Sequence, residues 1–277
     1  MSQYLLTRTE PSPPPRPVGR RRDAWPALSL PFVAFLFVPI AALLLRASPE
    51  QLMANLGKPQ VLQAITLSLA TTFTATGITI LFGTPVAYLL ARRRFRLRRA
   101  IDALVDLPTV LPPSVAGVAL LMAFGRRGLL GGLFASLGID IAFTQAAVVL
   151  AQVFIAAPFY IRAASVGFAG VSTEQEQAAA IDGANGWQVF RFVTVPLAWS
   201  ALLGGSLMSW ARALGEFGAT IIFAGNFPGR TQTMPLAIYI GFELDLDVAL
   251  TLSVILVGCS FVVLTIVKGI LSREPAP

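Results

Sequence analysis

The chain has 277 residues, of which 55% are hydrophobic and 13% are charged, and its mean hydropathy is +0.72. Because soluble domains carry about 25% charged residues, this composition predicts an integral membrane protein. The sequence has no histidine and one cysteine, which excludes the usual zinc, copper and haem sites and a Ser-His-Asp or Cys-His catalytic pair. The net charge of +7 does not indicate nucleic-acid binding, since most basic residues lie in short loops beside apolar runs.

Six apolar runs are each long enough to cross a bilayer, which takes about 20 residues. In chain order the predicted spans are 24–45, 64–91, 101–124, 143–169, 197–224 and 248–271. The sequence therefore predicts an all-α polytopic protein. Its predicted parts are a disordered Pro- and Arg-rich leader (1–25), a first span with an outer loop (26–60), a core of five spans (61–272) and a tail (273–277).

Prolines predict irregularities in two of these spans, because proline removes a backbone N–H and clashes with the preceding helical turn. The third span contains Pro108, Pro112 and Pro113 and is expected to be broken. Pro158 predicts a kink in the fourth span.

The distribution of arginine predicts the orientation. Five arginines precede the first span, and six occur among the eight residues 92–99 that follow the second, whereas the loops of the opposite face hold fewer basic residues. The positive-inside rule therefore places both termini in the cytoplasm. The run 92–99 is expected to anchor this topology and touch anionic lipid headgroups; a contact with a partner protein is the alternative.

Residues 174–196 form the one long polar interruption of the apolar pattern. Its Ala, Gln and Glu content favours a short helix that stops at Gly183. Asn185 is expected to cap a second short helix that Pro196 ends. By the predicted orientation this pair of amphipathic helices lies on the cytoplasmic side, where it is either a docking segment or an ordinary connector.

The residues of this segment resemble the E-A-A…G…I-x-L-P signature of ABC importer permeases. The match consists of QAA at 177–179, Gly183 and VTVP at 193–196, with Gln177 at the position that is usually Glu and Glu176 one residue earlier. The resemblance implies that the segment is the coupling helix on which a cytoplasmic ATPase docks. The predicted docking residues are Glu176, Gln177, Ala178, Ala179, Asp182, Gly183, Ala184 and Trp187.

The fifth span carries two charges, Arg212 and Glu216, four residues apart on one helical face. Intramembrane charges are costly and normally face a bundle interior or a wet path. The pair is predicted either to line or gate an anion path between two protomers, or to be a neutralised structural pair. The predicted path or gate residues are Arg212, Gly215, Glu216 and Thr220.

An outer loop rich in Gly, Asn and Pro follows, at residues 223–239. Its polar side chains are donors suited to an oxyanion. They predict an extracytoplasmic mouth, with a plain turn as the alternative. The candidate residues are Asn226, Arg230, Thr231 and Thr233.

Four motifs resemble the molybdate permeases, with sulfate and tungstate permeases as close relatives. They read LPTVLPPSVAG at 107–117, FGRRG at 124–128, ARALGEFGAT at 211–220 and GNFPGRTQTMP at 225–235. The resemblance covers roughly residues 60–270 and implies the type I (MetI-like) importer permease fold and a bacterial inner-membrane location. It also implies a homodimer, a cytoplasmic ATPase dimer and a periplasmic or lipid-anchored oxyanion-binding protein.

The resemblance further implies that ATP binds the partner, so that this chain has no cofactor. Consistently, no G-x-x-x-x-G-K-[ST] motif is present. Two other classes remain as alternatives. A secondary transporter would not need a docking segment, and a membrane enzyme would need a polar catalytic cluster that only Arg212 and Glu216 approach.

Overall fold

The computed structural model describes residues 25–271, and these form helices joined by short loops, with no strand in that range. The predicted leader before Trp25 and the tail at 273–277 lie outside the described residues. The helices are α1 (Trp25–Arg46), α2 (Pro49–Leu56), α3 (Pro59–Arg92), α4 (Arg98–Val110), α5 (Pro113–Phe124), α6 (Gly131–Ser136), α7 (Gln145–Gly170), α8 (Thr173–Ile181), α9 (Gly186–Val189), α10 (Val195–Leu197), α11 (Trp199–Leu214), α12 (Gly218–Phe223), α13 (Met234–Leu244) and α14 (Leu246–Leu271). A π-helical turn, Phe190–Thr194, joins α9 to α10.

Four helices are long and apolar enough to cross a membrane, and two bent helix pairs raise the count to as many as six. The first bent pair, α4 with α5, matches the predicted third span, whereas the second pair joins residues 186–197 to α11 and so begins inside the predicted docking segment, before the predicted fifth span at 197–224. The first span, α1, belongs to a compact unit that ends at Leu44, and the remaining helices form a second unit from Leu45 onward. The second unit contains every site discussed below.

The centre of the second unit is the packing of α7 between α3 and α11. Small residues permit the close approach of α7 and α11. A Cβ on Gly205 would lie 2.7 Å from the Ala163 Cβ, and one on Gly167 would lie 2.5 Å from the Ala201 Cβ. Close backbone contact at small residues is a usual way for helices to associate in membranes. Helix α7 runs through Pro158 without interruption.

Two of the predicted spans are interrupted. The third ends its first half at Val110 and resumes at Pro113, and the two halves differ in direction by 119°. The prediction of one continuous span at 197–224 is wrong, because α11 ends at Leu214 and α12 begins at Gly218. The interruption is stabilised by a side chain that caps the new helix, as described below.

The two interruptions lie against each other. A Cβ on Gly218, the first residue of α12, would lie 2.5 Å from the Cβ of Pro113, the first residue of α5. One turn further along α5, a Cβ on Gly117 would lie 2.8 Å from the Ala219 carbonyl oxygen. The third and fifth spans are therefore both broken in the same part of the bundle, and glycine permits the contact.

Three short helices, α2, α6 and α13, were not predicted from the sequence. Helix α2 is bound to the last span through Asn55, whose Nδ2 donates to Thr251 Oγ1 at 2.9 Å and to the Asp247 carbonyl at 3.1 Å. Lys58 Nζ donates to Asp245 at 2.9 Å. These contacts join the α2–α3 corner to the α13–α14 corner.

Candidate functional site

The predicted docking segment forms two short helices as expected. Helix α8 is capped by Ser172, whose hydroxyl accepts the Glu174 backbone N–H at 3.2 Å. The chain then turns at Gly183, where φ is +93°, a value that favours glycine. Asn185 and Gln188 form a reciprocal capping box at 2.9 and 2.8 Å. The second helical stretch ends at Leu197, one residue after Pro196, and meets α11 at 73°.

This segment exposes large apolar side chains beyond those that were predicted. Trp187, which was predicted, is 68% exposed, while Ile181 and Phe192 are 85% and 67% exposed. Phe192 lines two surface cavities, of about 550 and 360 Å³. The smaller cavity is lined by Ala179, Asp182, Gly183, Ala184, Gln188, Phe192 and Val193. Exposed apolar groups beside concave surfaces are typical of a protein interaction site.

Glu176 differs from the other predicted docking residues because its carboxylate is bound inside the protein. Its Oε1 accepts from Arg92 Nη2 at 3.1 Å and from the Thr194 hydroxyl at 2.6 Å, and its side chain is 17% exposed. Gln177, next in sequence, is exposed. The position where the family signature has Glu thus faces outward here, and the acidic neighbour faces inward.

The two charges of the fifth span are in contact, as predicted. Arg212 Nη1 donates to Glu216 Oε2 at 2.9 Å. The second carboxylate oxygen, Oε1, accepts the backbone N–H of Ala219 at 2.8 Å and so caps the start of α12. Because the Glu216 side chain is 1% exposed and that of Arg212 is 33% exposed, only the arginine is available to a ligand.

The other two predicted path residues lie on either side of this pair. Gly215 is exposed and ends α11, whereas Thr220 is fully buried in α12. The Thr220 hydroxyl has no hydrogen-bond partner among the described residues. The structure therefore brings all four residues to the interruption of the fifth span, with Arg212 and Gly215 at its accessible side.

The outer loop turns at Gly225 and Gly229, with φ values of +74° and +69°. Two of its four predicted residues are inside it. Thr231 is fully buried and its hydroxyl accepts the Phe227 N–H at 3.1 Å, while Thr233 is 1% exposed. Asn226 is half-buried and Arg230 is exposed. Thr231 stabilises the turn, the buried Thr233 hydroxyl has no hydrogen-bond partner among the described residues, and Arg230 is the predicted donor that the loop exposes.

Arg230 lines a cavity of about 380 Å³ with groups that were not predicted. Arg126 lies across it and donates to both oxygens of Asp140, at 3.0 and 2.8 Å. This hydrogen bond lowers the pKa of Asp140 below its usual value, so that the carboxylate stays charged. The strained backbone of Phe143, with φ of +61°, places its ring near that of Phe227. The residues that line this cavity are far apart in the sequence, so their spacing did not predict that they meet.

A second unpredicted group joins α4 to α7. Arg162 donates to Asp106 through Nε at 2.6 Å and through Nη2 at 2.5 Å, and to Asp102 through Nη1 at 2.6 Å. The two acids are four residues apart, which places them on one face of α4. That spacing was a usable signal, whereas a lone arginine in an apolar run did not reveal its partner.

Known proteins resemble this chain over most of its length. Residues 80–274 match the model of the family described as "Binding-protein-dependent transport system inner membrane component". The molybdenum transport system permease protein ModB of Mycobacterium tuberculosis is 40% identical over 243 residues, which cover 88% of this chain and 91% of the relative. The molybdate/tungstate permease WtpB of Thermococcus kodakarensis is 34% identical over 252 residues, covering 90% and 96%.

The fold has a counterpart among solved structures. A chain of a bacterial alginate ABC transporter, in complex with a pentasaccharide-bound periplasmic protein, aligns with a TM-score of 0.65 at 17% identity, covering 91% of this chain and 95% of that one. The expected ABC importer permease fold is thus confirmed. The matched residues include the docking segment and the interrupted fifth span. The chain belongs to the family of inner-membrane components of binding-protein-dependent transport systems.

Proposed function

We propose that this chain carries molybdate, or a similar tetrahedral oxyanion, across the bacterial inner membrane into the cytoplasm. The observation that supports this substrate is the 40% identity to a molybdenum permease over 88% of the chain. Tungstate is the nearest alternative, because a second relative carries molybdate and tungstate in its name. Sulfate has the same tetrahedral shape and charge as molybdate and is the next alternative substrate.

The energy is proposed to come from ATP hydrolysed on a partner protein that docks on residues 174–195. The exposed Ile181, Trp187 and Phe192 support this role, because a segment with no partner would not present three large apolar side chains beside polar helices. In this proposal the chain itself has no catalytic residue and binds no cofactor.

The anion is proposed to pass Arg212. Its guanidinium bonds Glu216 through one nitrogen and keeps other N–H groups on an accessible side chain. Arginine suits an oxyanion because its donors match pairs of oxygen atoms. On the outer side, Arg230 and Arg126 line a cavity that an anion would meet first. We propose both termini to be cytoplasmic and the loop at 225–233 to be extracytoplasmic.

The proposed assembly contains two copies of this chain, an ATPase dimer, an extracytoplasmic oxyanion-binding protein and surrounding lipid. One copy supplies one docking segment, so two copies match an ATPase dimer. The arginine run 92–99 is proposed to lie at the cytoplasmic headgroups, where each of its exposed arginines, which exclude Arg92, contributes about 1 kcal/mol of attraction to anionic lipid.

Uptake into right-side-out membrane vesicles that contain the chain, its ATPase and its binding protein tests the proposal. We expect labelled molybdate to accumulate only when ATP and both partners are supplied, and excess sulfate to compete weakly. Competition by tungstate at equal concentration would extend the substrate to that anion. Strong competition by sulfate would show that sulfate, and not molybdate, is the substrate. Uptake without ATP would favour a secondary transporter and contradict the proposed role.

A further inference from the structure

We infer that Glu176 is a positioning residue that links the docking segment to the cytoplasmic end of α3, and that it does not contact the ATPase. This inference rests on the proposed function, because it concerns how movement of the docked segment reaches the membrane spans. It is carried by a group of contacts that we call the Glu176 clamp, formed by Arg92, Val171, Glu176 and Thr194.

The clamp joins three parts of the chain through one carboxylate oxygen and one arginine nitrogen. Arg92, the last residue of α3, directs Nη2 to the Val171 carbonyl at 2.8 Å and to Glu176 Oε1 at 3.1 Å. The same Oε1 accepts the Thr194 hydroxyl at 2.6 Å. Thr194 ends the π-helical turn, so Glu176 bonds the first half of the docking segment to α3 and joins the second half to it through Thr194.

The clamp is shielded from solvent. The side chains of Arg92 and Glu176 are 13% and 17% exposed, and Thr194 is fully buried. Charged hydrogen bonds are stronger in such surroundings than at an exposed surface, and the loss of one partner leaves a charge without compensation. Oε1 of Glu176 is thus occupied by two donors inside the protein, and little of the side chain is exposed to a docking protein.

A layer of aromatic rings beside the clamp connects the same elements. Phe190 of the π-helical turn lies 5.2 Å from the ring of Tyr88 on α3 and 6.0 Å from the ring of Phe168 on α7. Tyr88 and Phe168 are 5.6 Å apart at nearly a right angle. Packed rings resist separation, so a displacement of the docking segment must displace the end of α3 as well.

Two substitutions remove different parts of the clamp and leave the exposed surface unchanged. Glu176→Gln removes the charge, and Thr194→Val removes the hydroxyl at nearly constant volume. Glu243→Gln is the control, since it makes the same change at an exposed position outside the docking segment. Thr194→Ser retains the hydroxyl. For each variant the measurements are co-purification of the ATPase, ATP hydrolysis, and molybdate transported per ATP.

We expect Glu176→Gln and Thr194→Val to bind the ATPase with an affinity within about twofold of that of the unmodified protein. Both should transport about fivefold less molybdate per ATP, which corresponds to the lower end of the usual range of coupling energies between sites. Thr194→Ser and Glu243→Gln are expected to transport normally. The inference is overturned if Glu176→Gln loses the ATPase while Thr194→Val retains it, since the carboxylate would then face the partner. Unchanged transport per ATP in both variants overturns it equally.

If the variants do not accumulate in cells, a measurement on the unmodified protein tests the same inference. Addition of ATP to the full complex should change amide hydrogen exchange at 190–194 and at 88–92 together. Exchange that changes in the docking segment alone would show that the clamp transmits no movement. Absence of ATP-dependent uptake by the unmodified complex would instead count against the proposed function and leave the clamp geometry unaffected.

Discussion

Glu216 and Arg212 have different positions although they form one ion pair. The glutamate is buried, binds Arg212 with one oxygen and caps α12 with the other, while the arginine remains a third exposed. The interpretation as a structural group therefore fits Glu216, and the interpretation as a path residue fits Arg212. The glutamate stabilises the interruption of the span, and the arginine is accessible there.

Replacing Glu216 by alanine should destabilise the protein by about 2–4 kcal/mol, because it removes a helix cap and leaves Arg212 without its counter-charge. Glu216→Gln retains an acceptor for Ala219 and should cost less. Abundance and thermal unfolding in detergent measure the effect, with the exposed Glu243→Gln as control. Normal stability of the alanine variant would show that the pair is dispensable.

Gly183 is required for its backbone conformation. We expect Gly183→Leu to weaken ATPase docking. A steric clash is not the cause, because the space around a Cβ at this position is open. The cause is the φ of +93°, a backbone conformation that costs a non-glycine residue about 1–2 kcal/mol. Gly183→Ala should therefore also reduce co-purification of the ATPase, whereas Gly186→Ala, where the Cβ is likewise free, should not. Equal docking by both alanine variants would contradict this explanation.

At the scale of elements, the contact between α5 and α12 depends on the absence of side chains. A Cβ on Gly117 would meet the Ile222 Cβ at 2.7 Å and the Ala219 carbonyl oxygen at 2.8 Å. Gly117→Ala should cost about 1–3 kcal/mol as the helices separate. Gly204→Ala, which meets nothing within 4 Å, is the control. Thermal unfolding of the two variants compares them, and an equal midpoint would count against tight packing here.

The contact between the α2–α3 and α13–α14 corners should be sensitive to acid. The hydrogen bond from Lys58, followed by that from the Val248 N–H, lowers the pKa of Asp245 below its usual 3.8. A lowered carboxylate pKa contributes stability above about pH 4 that is lost as the pH falls through the folded-state value. Since both side chains are partly exposed, the contribution is about 1 kcal/mol or less.

Unfolding midpoints of the unmodified protein and Lys58→Met, compared between pH 6 and pH 3, test this contribution. The difference between the two proteins should be largest at pH 6 and shrink toward pH 3. A difference that does not change with pH would mean that the pair contributes no charge-dependent stability.

At the scale of the whole molecule, one chain presents one docking segment among its described residues. If the ATPase is a dimer, a working importer needs two copies of this chain. We expect capture of one tag, from cells that express differently tagged copies together with the ATPase and binding protein, to recover the other tag in transport-active material. Transport-active material captured on one tag that never contains the other would argue against the homodimer.

Local patterns predicted much of the fold and part of the site. The apolar runs, Gly183 and the Asn185 cap were readable because each depends on residues within one or two helical turns. The spacing of Arg212 and Glu216 predicted their contact, but it did not predict that α11 ends between them. That end depends on the Ala219 N–H as a partner for the glutamate and on the fit of Gly218 against Pro113.

By itself the sequence determined most of the spans, the resemblance to importer permeases and the position of the two short polar helices around Gly183, because hydropathy and short motifs act locally along the chain. Only the tertiary structure decided which polar groups face inward. Glu176 and Arg92 are 84 residues apart and Arg162 and Asp106 are 56 apart, so no local spacing reveals that they meet. Burial of a charge requires a partner, and the fold alone determines which partner is within reach.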